Sequence, residues 1–165
     1  MTGPRRQGHR QARADLYIRD MRLIIPLLAA CLIPLPVSAW EAGTQGPLCT
    51  LTHSEPGAEI RLTYDSRGPE YTITLTAPTP WPRQPVFTLR FEGGPGLAIS
   101  TDRHILSPDG RSLTVIDRGF GNVLRGLAEN RQAIGLTGPG MLSFSLDGAA
   151  PEVAKFEACG TAPSV

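Results

Sequence analysis

Apolar and polar residues alternate along the middle of this chain. Ile60, Leu62 and Tyr64 are separated by polar residues, and the same pattern recurs over residues 71–76 and 87–92. A period of two places successive side chains on opposite faces of an extended strand. Strands of this kind are typical of antiparallel sheets that have one buried and one solvated face. The alternation therefore predicts three half-buried strands.

Further strands follow, separated by turns that are rich in glycine and proline. Short sequences such as Gly68-Pro69 and Gly138-Pro139-Gly140 favour reversals of chain direction. The proline-rich segment 77–85 lacks the backbone donors of an internal strand, and we expect it to cross from one sheet edge to another. The other strand candidates are Gly96–Thr101, Ser112–Asp117, Ala133–Thr137 and Met141–Leu146.

Two segments change to a helical period. Residues 122–130 place Val123 and Leu127 four positions apart, with Asn122 as a candidate N-cap. Residues 150–158 also place apolar side chains at helical spacing. The pattern predicts a mainly β fold with seven or eight short strands and two short helices. We expect an antiparallel β-sandwich or a small barrel.

The N-terminal segment has the three parts of a secretory signal peptide. Arg22 precedes an apolar h-region, residues 23–37, and Val37-Ser38-Ala39 provides a small-x-small cleavage site. The apolar stretch is too short and too rich in proline to span a membrane as a permanent helix. We expect cleavage between Ala39 and Trp40. Residues 1–39 are then an N-terminal extension with the signal peptide, and residues 40–165 are one exported β-rich domain, periplasmic or secreted, without a transmembrane span.

Three alternatives concern this segment. Residues 1–20 show no apolar periodicity, so Met21 is an alternative start to Met1. Arg5-Arg6 is a twin arginine of the kind used in Tat export, although no apolar stretch follows it directly. Leu28-Ala29-Ala30-Cys31 resembles a lipobox, which would make the product a lipoprotein anchored at Cys31.

The mature chain keeps two cysteines, Cys49 and Cys159, near the two ends of the domain. An even pair in an oxidising compartment predicts a disulfide. Its closure would stabilise the domain by about 4–5 kcal/mol through chain entropy, and it would attach the last helix to the first strand. Two reduced catalytic thiols are the alternative, but the sequence has no C-x-x-C motif.

Charge and motif content argue against nucleic-acid binding. The segment after residue 39 has ten basic and thirteen acidic residues, a net charge of −3. Binding to a phosphate backbone requires concentrated positive charge. Lys155 is the only lysine, and no P-loop surrounds it. The absence of Walker and helicase motifs also gives no support to an excision-repair nuclease.

Two groups of residues are weak candidates for chemistry. Ser100, Asp102 and His104 lie close together in the sequence and suggest a small hydrolase, although catalytic triads usually draw on distant positions. His53 and Glu55, taken with Asp102 and His104, suggest a metal site, but zinc usually requires three or four clustered ligands. We expect neither a catalytic residue nor a metal or other cofactor.

The aromatic residues allow two interpretations. Trp40, Trp81 and Phe120 can form a face that binds a sugar or a peptide. They can instead cover the core, with Phe120 packed under a strand-to-helix corner at Asp117–Gly121. The second interpretation is favoured, because the chain has no ladder of aromatic residues.

The segment 119–159 combines a short helix, a hairpin around Gly138-Pro139-Gly140, an apolar strand at Leu142–Leu146, and a small Ala-rich helix after Gly148. In this pattern it resembles the C-terminal part of the invasion-associated locus B family of exported bacterial proteins. The resemblance does not extend to the first half of the chain. It implies a β-sandwich of the periplasm or envelope with no known catalytic residues.

These observations predict a non-enzymatic module that binds a protein or envelope component. The alternatives are a small periplasmic hydrolase that uses residues 100–104 and a lipid-anchored protein of the envelope. The sequence does not identify the partner, the oligomeric state or the edge strands.

Overall fold

The computed structural model describes residue 3 and residues 39–161. Several sequence features lie outside the described residues, and their interpretation stays a prediction. These are the h-region at 23–37, the twin arginine Arg5-Arg6, the alternative start at Met21 and the lipobox cysteine Cys31.

The described part contains ten strands and two helices. The strands are β1 (Trp40–Gln45), β2 (Leu48–Glu55), β3 (Ala58–Asp65), β4 (Glu70–Thr76), β5 (Phe87–Glu92), β6 (Leu97–Thr101), β7 (His104–Leu106), β8 (Ser112–Asp117), β9 (Gln132–Thr137) and β10 (Gly140–Ser145). The helices are α1 (Gly121–Glu129), between β8 and β9, and α2 (Ala149–Thr161), after β10.

The strands form two antiparallel sheets. One sheet has the order β1-β2-β3-β4-β8-β7, and the other has the order β10-β9-β5-β6. The inward-facing apolar side chains of both sheets form one core. The predicted mainly β sandwich is therefore confirmed. The alternative of a small barrel is wrong, because neither sheet closes on itself.

β1 and β7 have no counterpart among the predicted strands, whereas β2 corresponds to the first strand expected at Cys49. In β1 only Trp40 is buried and Ala42 is half buried, while the other side chains of the strand are exposed. β7 has only three residues. Both are edge strands of the larger sheet. Edge strands are often very short, which leaves little sequence pattern to recognise.

The proline-rich segment 77–85 crosses between the sheets, as expected, but it does not run from edge to edge. It joins β4 to β5, and both are internal strands. The backbone N–H groups of Ala77 and Trp81 donate to the carbonyls of Arg111 and Gly110, at 2.9 and 2.8 Å. These bonds satisfy two of the segment's donors outside the sheets, and its prolines interrupt no ladder.

The start of α1 differs from the prediction. Phe120, not Asn122, is the N-cap residue, and no side chain caps the helix. Asn122 lies in the first turn, where its Oδ1 accepts a hydrogen bond from Arg125 at 3.1 Å. Local side-chain competition of this kind explains why an asparagine near a helix start is an ambiguous cap signal.

The predicted disulfide between Cys49 and Cys159 is present, with Cα atoms 5.9 Å apart. Cys49 lies on β2, so the bridge attaches α2 to the second strand and not to the first. α2 packs on β1 and β2 and buries Val153 and Phe156 against the core.

α2 also covers part of the β1 edge. The Ala42 N–H donates to Glu152 Oε2 at 3.0 Å, and Lys155 donates to Glu152 Oε1 at 2.6 Å. These two bonds hold the pKa of Glu152 below its ordinary value, with the larger effect from Lys155. A carboxylate thus satisfies a backbone donor that an edge strand would otherwise leave open.

The lowered pKa values predict a loss of stability in acid. The Arg67 side chain lowers the pKa of Asp65 to about 2, and hydrogen bonds from Ser107 and Arg111 lower that of Asp109. A carboxyl group with a lower pKa in the folded state stabilises the fold above its unfolded pKa, and this contribution disappears as the pH falls. We expect the midpoint temperature of thermal unfolding to decrease as the pH is lowered from about 5 to about 2. Asp65→Asn should make this dependence on pH less steep, and high salt should reduce it further. An unchanged pH dependence in Asp65→Asn would contradict the assignment.

Candidate binding cleft

A cavity of about 150 Å³ opens between the two sheets. Its walls are mainly apolar and come from four strands, the corner before α1 and the first turn of α1. The apolar lining residues are Ile73, Phe87, Leu89, Ile99, Val115, Phe120 and Val123. We call this cavity the cleft.

Polar residues form the rim of the cleft, although Ser100 contributes only its backbone, because its side chain lies on the opposite face of β6 from Ile99. Ser100 and Thr101 belong to β6, Asp117 ends β8, and Asn122 lies in α1. The Ser100 hydroxyl shares a hydrogen bond of 2.8 Å with the Thr88 hydroxyl on β5. The rim thus combines hydroxyl, amide and carboxylate groups around an apolar interior, which is the usual composition of a small-molecule site.

The corner between β8 and α1 shapes one wall. Phe120 is 3% exposed, and its ring stacks on Tyr71 with centroids 5.4 Å apart. Its carbonyl accepts the Leu124 N–H at 2.9 Å, which begins the helix. The expectation that Phe120 packs under a strand-to-helix corner is confirmed.

The segment 100–104 links the edge strand of one sheet to the edge strand of the other. Thr101 ends β6 and His104 begins β7. At the bend between them the Arg103 N–H donates to Thr101 Oγ1 at 3.1 Å. The segment therefore forms the corner of the sandwich, and only its first two residues line the cleft.

No hydrogen bond or ion pair joins Ser100, Asp102 and His104 to one another within the described part of the chain. Asp102 is exposed at the bend. The His104 ring lies 6.2 Å from that of Phe87, a cleft residue, and its buried Nδ1 has no hydrogen-bond partner among residues 39–161. The relay that the hydrolase hypothesis requires, from nucleophile to base to carboxylate, is not assembled here.

His53 belongs to a different cluster. It is 2% exposed and stacks on Trp40, with ring centroids 4.6 Å apart. Its Nε2 lies 3.0 Å from Glu55 Oε2, which also accepts the Ser145 N–H at 3.2 Å. The Trp40 Nε1–H donates to the Ser145 carbonyl at 3.1 Å. The cluster therefore ties β1 and β2 of one sheet to β10 of the other.

The four residues considered for a metal site lie in two separate places. His53 and Glu55 are on the internal strand β2, whereas His104 is on β7, the edge strand at the far side of the same sheet. Among the described residues, no group of three or more histidine, cysteine, aspartate or glutamate side chains is arranged to hold a metal ion.

The aromatic residues cover the core and do not form an exposed face. Trp40 and Trp81 are each 5% exposed. The Trp81 Nε1–H donates to the Leu75 carbonyl at 3.3 Å, and its ring meets Phe87 edge to face. Burial of the rings with their N–H groups bonded to backbone carbonyls is typical of core tryptophans.

Ile99 is the cleft residue that sequence analysis missed most clearly. Its strand is predicted, but the alternation of a half-buried strand does not reveal whether its inner face meets packed side chains or open space.

Within residues 39–161, no helix has the length and apolar character needed to cross a membrane.

No family model, curated protein or solved structure matches this chain. The resemblance of residues 119–159 to the invasion-associated locus B family therefore stays a prediction.

Proposed function

We propose that this protein is exported and acts without catalysis as a small binding module of the periplasm or envelope. In this proposal the cleft receives one apolar group of a protein or envelope component. The observation that carries the proposal is the cleft itself, since it joins an apolar interior to a polar rim. The disulfide adds support, because such bridges persist in oxidising compartments.

The size of the cleft defines the group that it receives. Apolar cavities of about 150 Å³ hold a molecule as large as benzene. One aromatic ring or one branched aliphatic group therefore fills the cleft, while the rim donates or accepts hydrogen bonds at the attachment point. A long acyl chain exceeds this volume, so the bound group is a side chain or the end of a chain.

The export part of the proposal is tested by the intact mass of the natively exported protein, measured before and after reduction and alkylation. We expect a chain that begins at Trp40 and takes up two alkyl groups only after reduction. A chain that begins at Cys31 with added acyl mass would instead make the protein a lipoprotein. A chain that keeps residues 1–39 in the cytoplasmic fraction would overturn the proposal.

The binding part is tested by NMR titration with benzyl alcohol, which has a benzene ring and one hydroxyl group. We expect saturable shifts of the methyl resonances of Ile99, Val115 and Val123. Ile99→Trp places a larger ring in the cleft and should abolish these shifts. The control is Ile105→Trp on β7, where Ile105 is 59% exposed and outside the cleft. Equal shifts in both variants would show that the probe does not enter the cleft.

A further inference from the structure

A second groove lies beside the helices and shares no lining residue with the cleft. It has a volume of about 380 Å³. Its walls include Tyr64 at the end of β3, Tyr71 on β4, and Glu157 with the last residues of α2. We call it the tyrosine groove.

The two tyrosine rings are held in place by their neighbours. Their centroids are 4.4 Å apart, and Tyr71 also stacks on Phe120 and contacts Phe156. Tyr64 packs against the backbone of Gly160, where an added Cβ would lie 3.0 Å from the ring. Within the described residues neither phenol hydroxyl makes a hydrogen bond. The groove therefore presents rigid aromatic surface together with open hydroxyl groups.

Three independent features of the groove favour the binding of a positively charged group. Aromatic rings attract cations through their quadrupole. Glu157 is exposed and makes no ion pair with any described residue, and its carboxylate is close enough to raise the pKa of Tyr71. The groove also lies at the C-terminal end of α2, the negative end of the helix dipole, and the last turn has no basic residue.

The electrostatic environment of Tyr71 agrees with this picture. Burial raises the pKa of Tyr71 above its ordinary value, and repulsion from an ionised Tyr64 and from the Glu157 carboxylate raises it further. Of these two groups only Glu157 is charged at neutral pH, because phenols stay protonated there, so the negative local potential comes from Glu157. A bound cation would neutralise that potential.

We propose that the tyrosine groove binds the guanidinium group of an arginine side chain on a partner polypeptide. A guanidinium is planar and stacks on aromatic faces, and its fork of N–H donors matches a carboxylate. The hydroxyls of Tyr64 and Tyr71, which have no hydrogen-bond partner among the described residues, supply further acceptors. A lysine ammonium is a compact point charge that does not use a flat ring in this way, and a quaternary ammonium has no donor for the carboxylate or the hydroxyls.

The inference goes beyond the proposed function, because it adds a site for a charged group next to a cleft for an apolar group. Phe120 lines the cleft and stacks on Tyr71 at the groove. A polypeptide with an apolar side chain near an arginine would therefore engage both sites.

The test uses the mature protein and the peptide acetyl-Gly-Arg-Gly-amide, with acetyl-Gly-citrulline-Gly-amide as its neutral counterpart. We expect the arginine peptide to shift the ring resonances of Tyr64 and Tyr71 saturably, and the citrulline peptide to leave them unchanged. Added salt should weaken the binding, because the groove is exposed. Glu157→Gln should weaken it about two- to fivefold, the usual range for an exposed ion pair.

Matched variants separate binding from folding. Glu59→Gln removes an exposed carboxylate on β3 outside the groove, and it should leave arginine binding unchanged. Tyr64→Leu removes one aromatic face and should also weaken binding about two- to fivefold. Tyr64→Phe keeps that face and should retain most of the binding. The difference between the phenylalanine and leucine variants then measures the aromatic face, provided that both show the chemical shift dispersion of a folded protein.

Three results would overturn the inference: no saturable shift with the arginine peptide, equal shifts with the citrulline peptide, or unchanged affinity in Glu157→Gln. A failure of the proposal for the cleft can be distinguished from a failure of the proposal for the tyrosine groove. Ile99→Trp blocks only the cleft, so it should leave binding of the arginine peptide intact.

Discussion

The double variant Cys49→Ser/Cys159→Ser is expected to unfold with a free energy about 4–5 kcal/mol lower than that of the native protein. The bridge joins residues with a sequence separation of 110, so its removal returns much conformational freedom to the unfolded chain. It also releases α2 from β2, and with it the packing of Val153 and Phe156 against the core. The measurement is the midpoint of guanidinium unfolding, which should fall well below that of the native protein.

Reduction provides the control for this experiment. A reducing agent should lower the midpoint of the native protein toward that of the double variant, and it should have no effect on the variant itself. Both cysteines are replaced together so that no single thiol remains to form bridges between molecules. A native protein whose midpoint is unchanged by full reduction would show that the packing of α2 alone holds the helix in place.

The variant Phe91→Ala is expected to lose about 3–5 kcal/mol, the usual cost of removing a phenyl ring from a packed core. Phe91 is 1% exposed and lies on β5, under α1. An ideal Cβ at Gly126 would lie only 2.5 Å from Phe91 Cε2. The helix can therefore approach the sheet closely only because position 126 has no side chain.

A double-mutant cycle tests this contact directly. In an open helix, Gly126→Ala would add about 1 kcal/mol of stability through helix propensity. Here the new methyl group meets a buried ring, and overpacking of this kind costs about 1–3 kcal/mol. In the Phe91→Ala background the same methyl enters vacated space, so Gly126→Ala should become stabilising. Thermal or denaturant unfolding of the four proteins measures the coupling, and additive effects would show that the ring and the helix do not touch in solution.

The cleft and the tyrosine groove are two candidate sites of different chemistry near the β8–α1 corner. One is apolar and has the size of a single ring, and the other is aromatic and negatively charged. Neither contains an assembled catalytic group among the described residues. A binding role for a polypeptide with an apolar side chain and an arginine accounts for both sites, and the two titrations test them separately.

The fold class and the disulfide are predictable from local sequence patterns alone. The alternation of Ile60, Leu62 and Tyr64 with polar residues indicates the inward face of a strand, because the side-chain period of a strand is a property of the backbone. Cys49 and Cys159 form the single pair left after the expected cleavage, so their partnership needed no structural information. Burial of Trp40 and Trp81 was also predicted, since large rings without an aromatic ladder pack against the core.

The sheet order, the edge strands and both candidate sites depend on long-range packing that no local pattern reveals. β1 and β7 have few buried side chains, and their existence depends on hydrogen bonds to β2 and β8, which local sequence does not encode. Ile99 and Val115 meet at the cleft, and Tyr71 approaches Glu157, because two sheets and two helices pack together over long sequence separations. Alternation along a strand specifies which way a side chain faces. It does not specify what that side chain meets, because the facing residue comes from a distant part of the chain.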